Sequence, residues 1–174
     1  MSVQIDDYIG KVPNFPKPGI LFYDISPLLA TPSVWEEVID ELAKLIMPFN
    51  PSFLAAIDAR GFLVASPLAL KIGCGIIMIR KRGKLPGATV KQDYSLEYGE
   101  DSLEIRDGII EPGQSIFILD DLLATGGTAE AAVKLISGVG ALVVGAAFLI
   151  ELNGLGGRSR LKTIPCKSLI TYPA

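Results

Sequence analysis

Four apolar runs of strand length limit what this chain can fold into. Phe53–Ile57, Gly75–Arg80, Ser115–Leu119 and Leu142–Leu149 are apolar almost without a break, with helix-like stretches at Phe62–Ile72 and Ala129–Ser137 between them. Strands that are apolar throughout, not at every second residue, belong to a parallel sheet covered on both faces. The fold class expected is therefore α/β: a doubly wound, mostly parallel sheet with helices on both faces. Ser33 is expected to open a further helix, with Glu36 as its capping-box partner and Val34, Val38, Leu42 and Leu45 on one face, ending at Pro48.

At 174 residues the chain has the length of a single domain, expected to span residues 1–174. Its longest apolar stretch, Ala141–Ile150, falls short of the roughly 20 residues a membrane helix needs. The N-terminus lacks the basic and apolar regions of a signal peptide, so a cytoplasmic protein is expected. A net charge of −3 does not favour a nucleic acid or an anionic membrane as partner. Cys74 and Cys166 fit no metal spacing and read as reduced core residues. There is no histidine, which removes Ser-His-Asp and Cys-His catalysis and leaves proton transfer to carboxylates, lysine or tyrosine.

Two stretches interrupt the rhythm. Residues 1–32 are rich in proline and glycine and read as an extended arm. Residues 84–108 are polar and read as an excursion over a site, not as scaffold.

The strand Ser115–Leu119 runs into Asp120 and Asp121, then into the small-residue loop Leu122-Leu123-Ala124-Thr125-Gly126-Gly127-Thr128 before a helix. Ligands of open parallel sheets bind at the carboxyl ends of strands. Ala124, Gly126 and Gly127 let backbone approach a ligand, Thr125 and Thr128 add hydroxyls, and the following helix offers free N–H groups. Together these make a phosphate seat, although the Gly-Lys-[Ser/Thr] ending of a Walker loop is absent. A bare Thr-Gly-Gly-Thr would be a tight turn capped by Thr128; the preceding strand and acid pair favour the seat. The acids would repel a phosphate, so they suit the hydroxyls of a sugar beside it.

This segment resembles the phosphoribosyl-diphosphate signature of the type I phosphoribosyltransferases, and its wording is similar to that of the adenine-using branch. Phe15–Phe22, Asp58–Phe62, Arg80–Pro86 and Tyr94–Gly99 carry the same resemblance, which covers nearly the whole chain. It implies a type I phosphoribosyltransferase fold, with an N-terminal hood at 1–32 and a flexible lid at 84–108. The implied reaction moves ribose 5-phosphate from phosphoribosyl diphosphate to N9 of adenine, giving AMP and diphosphate in purine salvage. Mg²⁺ is implied as cofactor, carried by the diphosphate within reach of Asp120 and Asp121, and the assembly implied is a homodimer. Another purine acceptor (hypoxanthine or xanthine) and a non-catalytic sensor of phosphoribosyl diphosphate are the alternatives.

The resemblance also assigns residues. Arg60, at a helix start beyond a strand, would grip the diphosphate with its guanidinium fork. In Arg80-Lys81-Arg82-Gly83-Lys84, a run that would otherwise read as a solvated edge, Lys81 and Lys84 would face the departing diphosphate. Glu97 would handle the proton at the base, with Tyr98 beside it in the lid. Phe22 would stack on adenine while backbone groups of Leu21 and Tyr23 read its edge, and Leu152 would line the other face. A carbonyl set to accept from a 6-amino group faces a 6-oxo purine unfavourably, at a cost of about 1–3 kcal/mol. The chain departs from the family pattern at Tyr23, where arginine is common. A non-proline cis peptide is implied between Asp58 and Ala59.

Overall fold

The computed structural model describes residues 4–95 and 100–174. The chain divides into two compact units, 1–41 and 42–174.

In the first unit a 3₁₀ turn (Ile5–Tyr8) leads into strands β1 (Gly10–Pro13) and β2 (Leu21–Asp24), which pair antiparallel from Gly10↔Asp24 to Pro13↔Leu21. The predicted arm is therefore a hairpin. Its connection holds Asn14 at φ 60°, a cis Phe15–Pro16 peptide and Gly19 at φ 87°. The Asn14 side chain accepts the Gly19 N–H at 2.9 Å, a local bond that asparagine supplies readily in turns. Phe15 and Phe22 pack edge to face with centroids 5.1 Å apart. Helices α1 (Ser26–Leu29) and α2 (Pro32–Ile46) follow. The Thr31 carbonyl takes the N–H groups of Val34 and Trp35, so α2 starts before Ser33, with Pro32 in its first turn, where a missing N–H costs nothing. Val34, Val38 and Leu42 are buried as their spacing predicts, and Ile46 is buried where Leu45 is only partly so.

In the second unit the chain runs β3 (Phe53–Ile57), α3 (Arg60–Ile72), β4 (Gly75–Lys81), β5 (Thr89–Ser95), β6 (Glu100–Arg106), β7 (Ser115–Leu123), α4 (Gly127–Gly138), β8 (Leu142–Asn153), α5 (Gly157–Arg160) and β9 (Cys166–Pro173). One seven-stranded sheet has the order β5-β6-β4-β3-β7-β8-β9. Strands β4-β3-β7-β8-β9 are parallel, and β6 and β5 add an antiparallel margin. Helix α3 packs on β3, β4 and β7, and α4 packs on β5 to β8, on the face carrying Ile57, Ile79, Ile118 and Phe148. Phe117 lies so close over Gly145 that a Cβ there would meet its ring at 2.6 Å. This is the doubly wound α/β sheet expected.

Several expected boundaries shift. β7 and β8 each run four residues beyond their apolar stretches, so Asp120, Asp121 and Leu152 lie inside strands. The polar segment 84–108 is largely scaffold: β5 and β6 form a hairpin, and Leu103 and Ile105 are buried in the main core. Cys74 and Cys166 are free but only partly buried.

Candidate active site

The sheet order reverses direction between β3 and β7, because the chain leaves β3 for β4 on one side and returns to β7 on the other. Such a switch point separates the loops that follow the two strands and opens a crevice at their carboxyl ends. Here β3 pairs with β7 only as far as Ala56↔Leu119, whereas β7 stays paired with β8 to Leu123↔Glu151. Residues 120–123 thus have a neighbouring strand on one side only. After β3 the chain turns through a cis Asp58–Ala59 peptide into α3. The resulting cleft has a volume of about 500 Å³ and is lined by Asp58, Arg60, Lys81, Tyr94, Asp120, Asp121 and Thr128, among others.

Successive side chains of a strand point to opposite faces, so Asp120 and Asp121 diverge. Asp121 is buried, and its Oδ2 lies 2.6 Å from Arg60 Nε. Asp120 Oδ1 accepts the Asp121 N–H at 2.8 Å. Burial, and then the charge of Asp121, push the Asp120 carboxyl well above the usual range for aspartate. Gly61 allows this crowding, since a Cβ there would lie 3.0 Å from the Leu119 carbonyl oxygen and 3.1 Å from Asp120 Oδ1.

The basic run is exposed from Lys81 to Lys84, yet three of its cations are paired. Asp58 Oδ2 takes Arg80 Nε at 3.1 Å and Lys84 Nζ at 3.5 Å. Burial raises the Asp58 carboxyl, but Arg80 and Lys84 outweigh it and hold the group below its ordinary value. Arg80 also lies 5.9 Å from the centre of the Phe62 ring. Lys81 Nζ sits 3.0 Å from Asp101 Oδ2, and the hydrogen bond raises the pKa of the lysine. The Tyr94 hydroxyl donates to Asp101 Oδ2 at 3.4 Å, and burial raises its pKa.

Ala124, Thr125, Gly126, Gly127 and Thr128 wrap a smaller hollow of about 110 Å³ beside Asp120. Gly126, at φ 80°, stands at the N-cap of α4, where no side chain caps the helix. A Cβ on Gly127 would meet nothing within 4 Å. The first N–H groups of a twelve-residue helix therefore border a small open seat, an arrangement suited to an anion.

The structure thus brings Arg60, Lys81, Asp120, Asp121 and Thr128 to one cleft, with Ala124 to Gly127 adjoining it and Lys84 tied to Asp58 at its margin. Leu21, Phe22 and Tyr23 form β2 of the first unit; Leu21 is exposed, Phe22 half-buried and Tyr23 buried. Leu152 lines a separate cavity of about 630 Å³ with Arg158 and Ile164. Glu97 and Tyr98 lie outside the described residues. Asp58 and Asp101 were missed as counter-ions. No local pattern signals Asp101, because the β4–β6 pairing that brings it to Lys81 joins distant parts of the chain. Among the described residues no group of three or more His, Cys, Asp or Glu side chains is arranged to hold a metal ion, and no helix is long and apolar enough to cross a membrane.

The phosphoribosyl transferase domain family matches residues 24–170. The adenine phosphoribosyltransferase of Rhodospirillum rubrum is 56% identical over 170 residues, which cover 98% of this chain and 99% of that one. The enzyme of the same name from Nitrosopumilus maritimus is 51% identical, with coverage of 98% and 100%. The crystal structure of adenine phosphoribosyltransferase from Thermoanaerobacter pseudethanolicus is similar with a TM-score of 0.94, at 44% identity and coverage of 97% and 98%. The Saccharomyces cerevisiae enzyme, solved in complex with adenine and an imino-altritol bisphosphate, is similar with a TM-score of 0.90, at 37% identity and coverage of 95% and 96%.

Proposed function

The chain belongs to the phosphoribosyl transferase domain family, and from that membership we propose that it transfers ribose 5-phosphate from phosphoribosyl diphosphate to N9 of adenine. The products are AMP and diphosphate. One observation carries this reading: an uncapped helix end and a glycine-rich loop adjoin paired aspartates at the switch point, in a chain 56% identical end to end to an adenine enzyme.

Each group then has a physical task. Ala124 to Thr128 receive the 5′-phosphate, and Asp120 and Asp121 accept hydrogen bonds from the ribose hydroxyls. Arg60, Lys81 and Lys84 face the diphosphate, with Asp101 and Asp58 holding the two lysines near the cleft. As the C1′–O bond breaks, its electron pair leaves with the diphosphate, and these cations stabilise the charge that develops. The positive charge at C1′ is steadied by the nearby carboxylates until N9 bonds to it, and Glu97 takes the N9 proton. Phe22 offers the base a stacking face, and backbone groups of Leu21 and Tyr23 read its edge.

Asp120 and Asp121 both line the cleft, and although the two side chains diverge and Asp121 is already paired with Arg60, they would be the carboxylates within reach of an Mg²⁺ carried in by the diphosphate. Bound there, Mg²⁺ supplies charge neutralisation for the leaving diphosphate. A homodimer is the assembly in keeping with the family, and the exposed Leu63, Leu70 and Met78 of the unit comprising residues 42–174 are side chains that such an interface would cover. The free Cys74 and Cys166 suit a reducing, cytoplasmic setting.

The test is to supply phosphoribosyl diphosphate and Mg²⁺ with adenine, hypoxanthine or xanthine in parallel and to quantify AMP, IMP and XMP by chromatography. AMP should dominate. Abundant IMP or XMP with negligible AMP would end the base assignment, and tight binding of phosphoribosyl diphosphate without turnover would favour a sensor.

A further inference from the structure

Helix α5 is a single turn that supplies no group to the reaction above, yet it is fastened in several directions. Gly157, at its start, rests backbone to backbone on the proposed phosphate loop. A Cβ on Gly157 would lie 2.2 Å from the Ala124 carbonyl oxygen, and a Cβ on Gly126 would lie 2.7 Å from the Gly157 carbonyl oxygen. Arg158 forks onto the buried Glu151 of β8, with Nε 2.8 Å from Oε1 and Nη2 on Oε2, and reaches the Cys166 carbonyl and Ser168 Oγ of β9, each at 2.7 Å. Arg160 Nη1 lies 3.0 Å from Glu130 Oε2 in the first turn of α4. The turn is thus bolted to β8, β9 and α4, and it bears on the loop that joins β7 to α4.

We propose that Gly157 is a positioning residue for the sugar-phosphate substrate, acting through Ala124 and Gly126, with Arg158 and Arg160 holding it against the back of the loop. This rests on reading Ala124–Thr128 as the phosphate seat. A loop containing two successive glycines loses much conformational freedom when its N–H groups must converge on one anion. A rigid support behind it takes that loss during folding and leaves less to be lost at binding. Glycine is required at 157 by contact and not by dihedral, since its φ is not in the left-handed region.

That distinction supplies the control. Gly156 has φ 77°, and a Cβ there would meet only Ser159 Oγ at 3.6 Å, so Gly156→Ala strains the start of α5 without touching the loop. Gly157→Ala drives an atom into the loop backbone. The two variants and the wild-type chain are compared by the dissociation constant for AMP, by KM for phosphoribosyl diphosphate and for adenine, by kcat and by Tm. Gly157→Ala should weaken AMP and raise KM for phosphoribosyl diphosphate by about tenfold or more, with smaller changes in kcat and in KM for adenine. Gly156→Ala should lower Tm with little effect on AMP. Unchanged AMP affinity in Gly157→Ala, or equal loss in both variants, would overturn the proposal. Should Gly157→Ala fail to fold, Arg160→Ala removes an exposed bolt: a loss of AMP affinity of about threefold supports the positioning role, and no change refutes it. A wild-type chain that binds neither AMP nor phosphoribosyl diphosphate would instead sink the seat.

Discussion

Replacing Asp120 by asparagine should make the protein more stable and less active, and the gain should depend on pH. Asp120 sits beside the buried Asp121, and Asn Oδ1 can keep the 2.8 Å bond from the Asp121 N–H while removing one of two neighbouring charges. Burial disfavours the charged Asp120 carboxyl first, and the neighbouring Asp121 charge adds to this by repulsion, together on the order of a few kcal/mol at an effective dielectric constant of about 20. Arg60, 2.6 Å from Asp121, and water in the cleft offset part of this, leaving a gain of about 1–2 kcal/mol at neutral pH. For a chain of this size that is a rise in Tm of about 3–6 °C. The sign follows from linkage. The folded Asp120 carboxyl is raised above its ordinary 3.8, so the wild-type protein loses stability as pH climbs from about 3.8 through the folded value. The advantage of the variant should accordingly be small near pH 4, grow through that window and then level off. Thermal denaturation of both proteins from pH 4 to pH 8 measures it. A gain independent of pH, or no gain at pH 7.5, would refute the account of a buried charge beside a like one. Loss of a charged acceptor for a ribose hydroxyl should lower kcat/KM by roughly 10- to 100-fold.

Glu97→Ala should reduce turnover by roughly 10²-fold while leaving Tm unchanged; steady-state kinetics that match the wild type would remove its role as proton acceptor. Gly127→Val should weaken AMP binding in calorimetry without loss of Tm, since a Cβ there meets only open space, and intact affinity would argue that no ligand approaches that backbone. Leu103→Ala, at a site 1% exposed, should cost about 3 kcal/mol in urea unfolding; a cost under about 1 kcal/mol would mean that β6 is not part of the core.

Much of the parallel sheet was legible because burial on both faces demands unbroken apolar runs, and β3, β4, β7 and β8 all begin where such runs begin. Their ends were harder to read. Asp120 and Asp121 look like a strand terminus, but backbone pairing with β8 is indifferent to side-chain polarity and carries β7 on to Leu123. The antiparallel strands hid behind their polar halves: in β6 the buried Leu103 and Ile105 alternate with polar Glu104 and Arg106. Strand β9 carries Lys167, Ser168 and Thr171 among its apolar residues and escaped the search for continuous runs. The acid pair and the glycine loop could be located because they are contiguous in sequence. The hold of Asp101 on Lys81, and the contact of Gly157 with Ala124, depend on residues 20 or more positions apart, and no local pattern encodes them.

The sheet order has a bearing on how copies of the chain keep apart. β5 and β9 are its outermost strands, and an outermost strand is a template on which another chain can add. β5 presents exposed Lys91 and Asp93, and β9 presents exposed Lys167 and closes at Pro173, which has no N–H to donate. Charge at one margin, and charge with proline at the other, discourage growth by strand addition, so crowding should drive these molecules together through side-chain surfaces and not into fibrils.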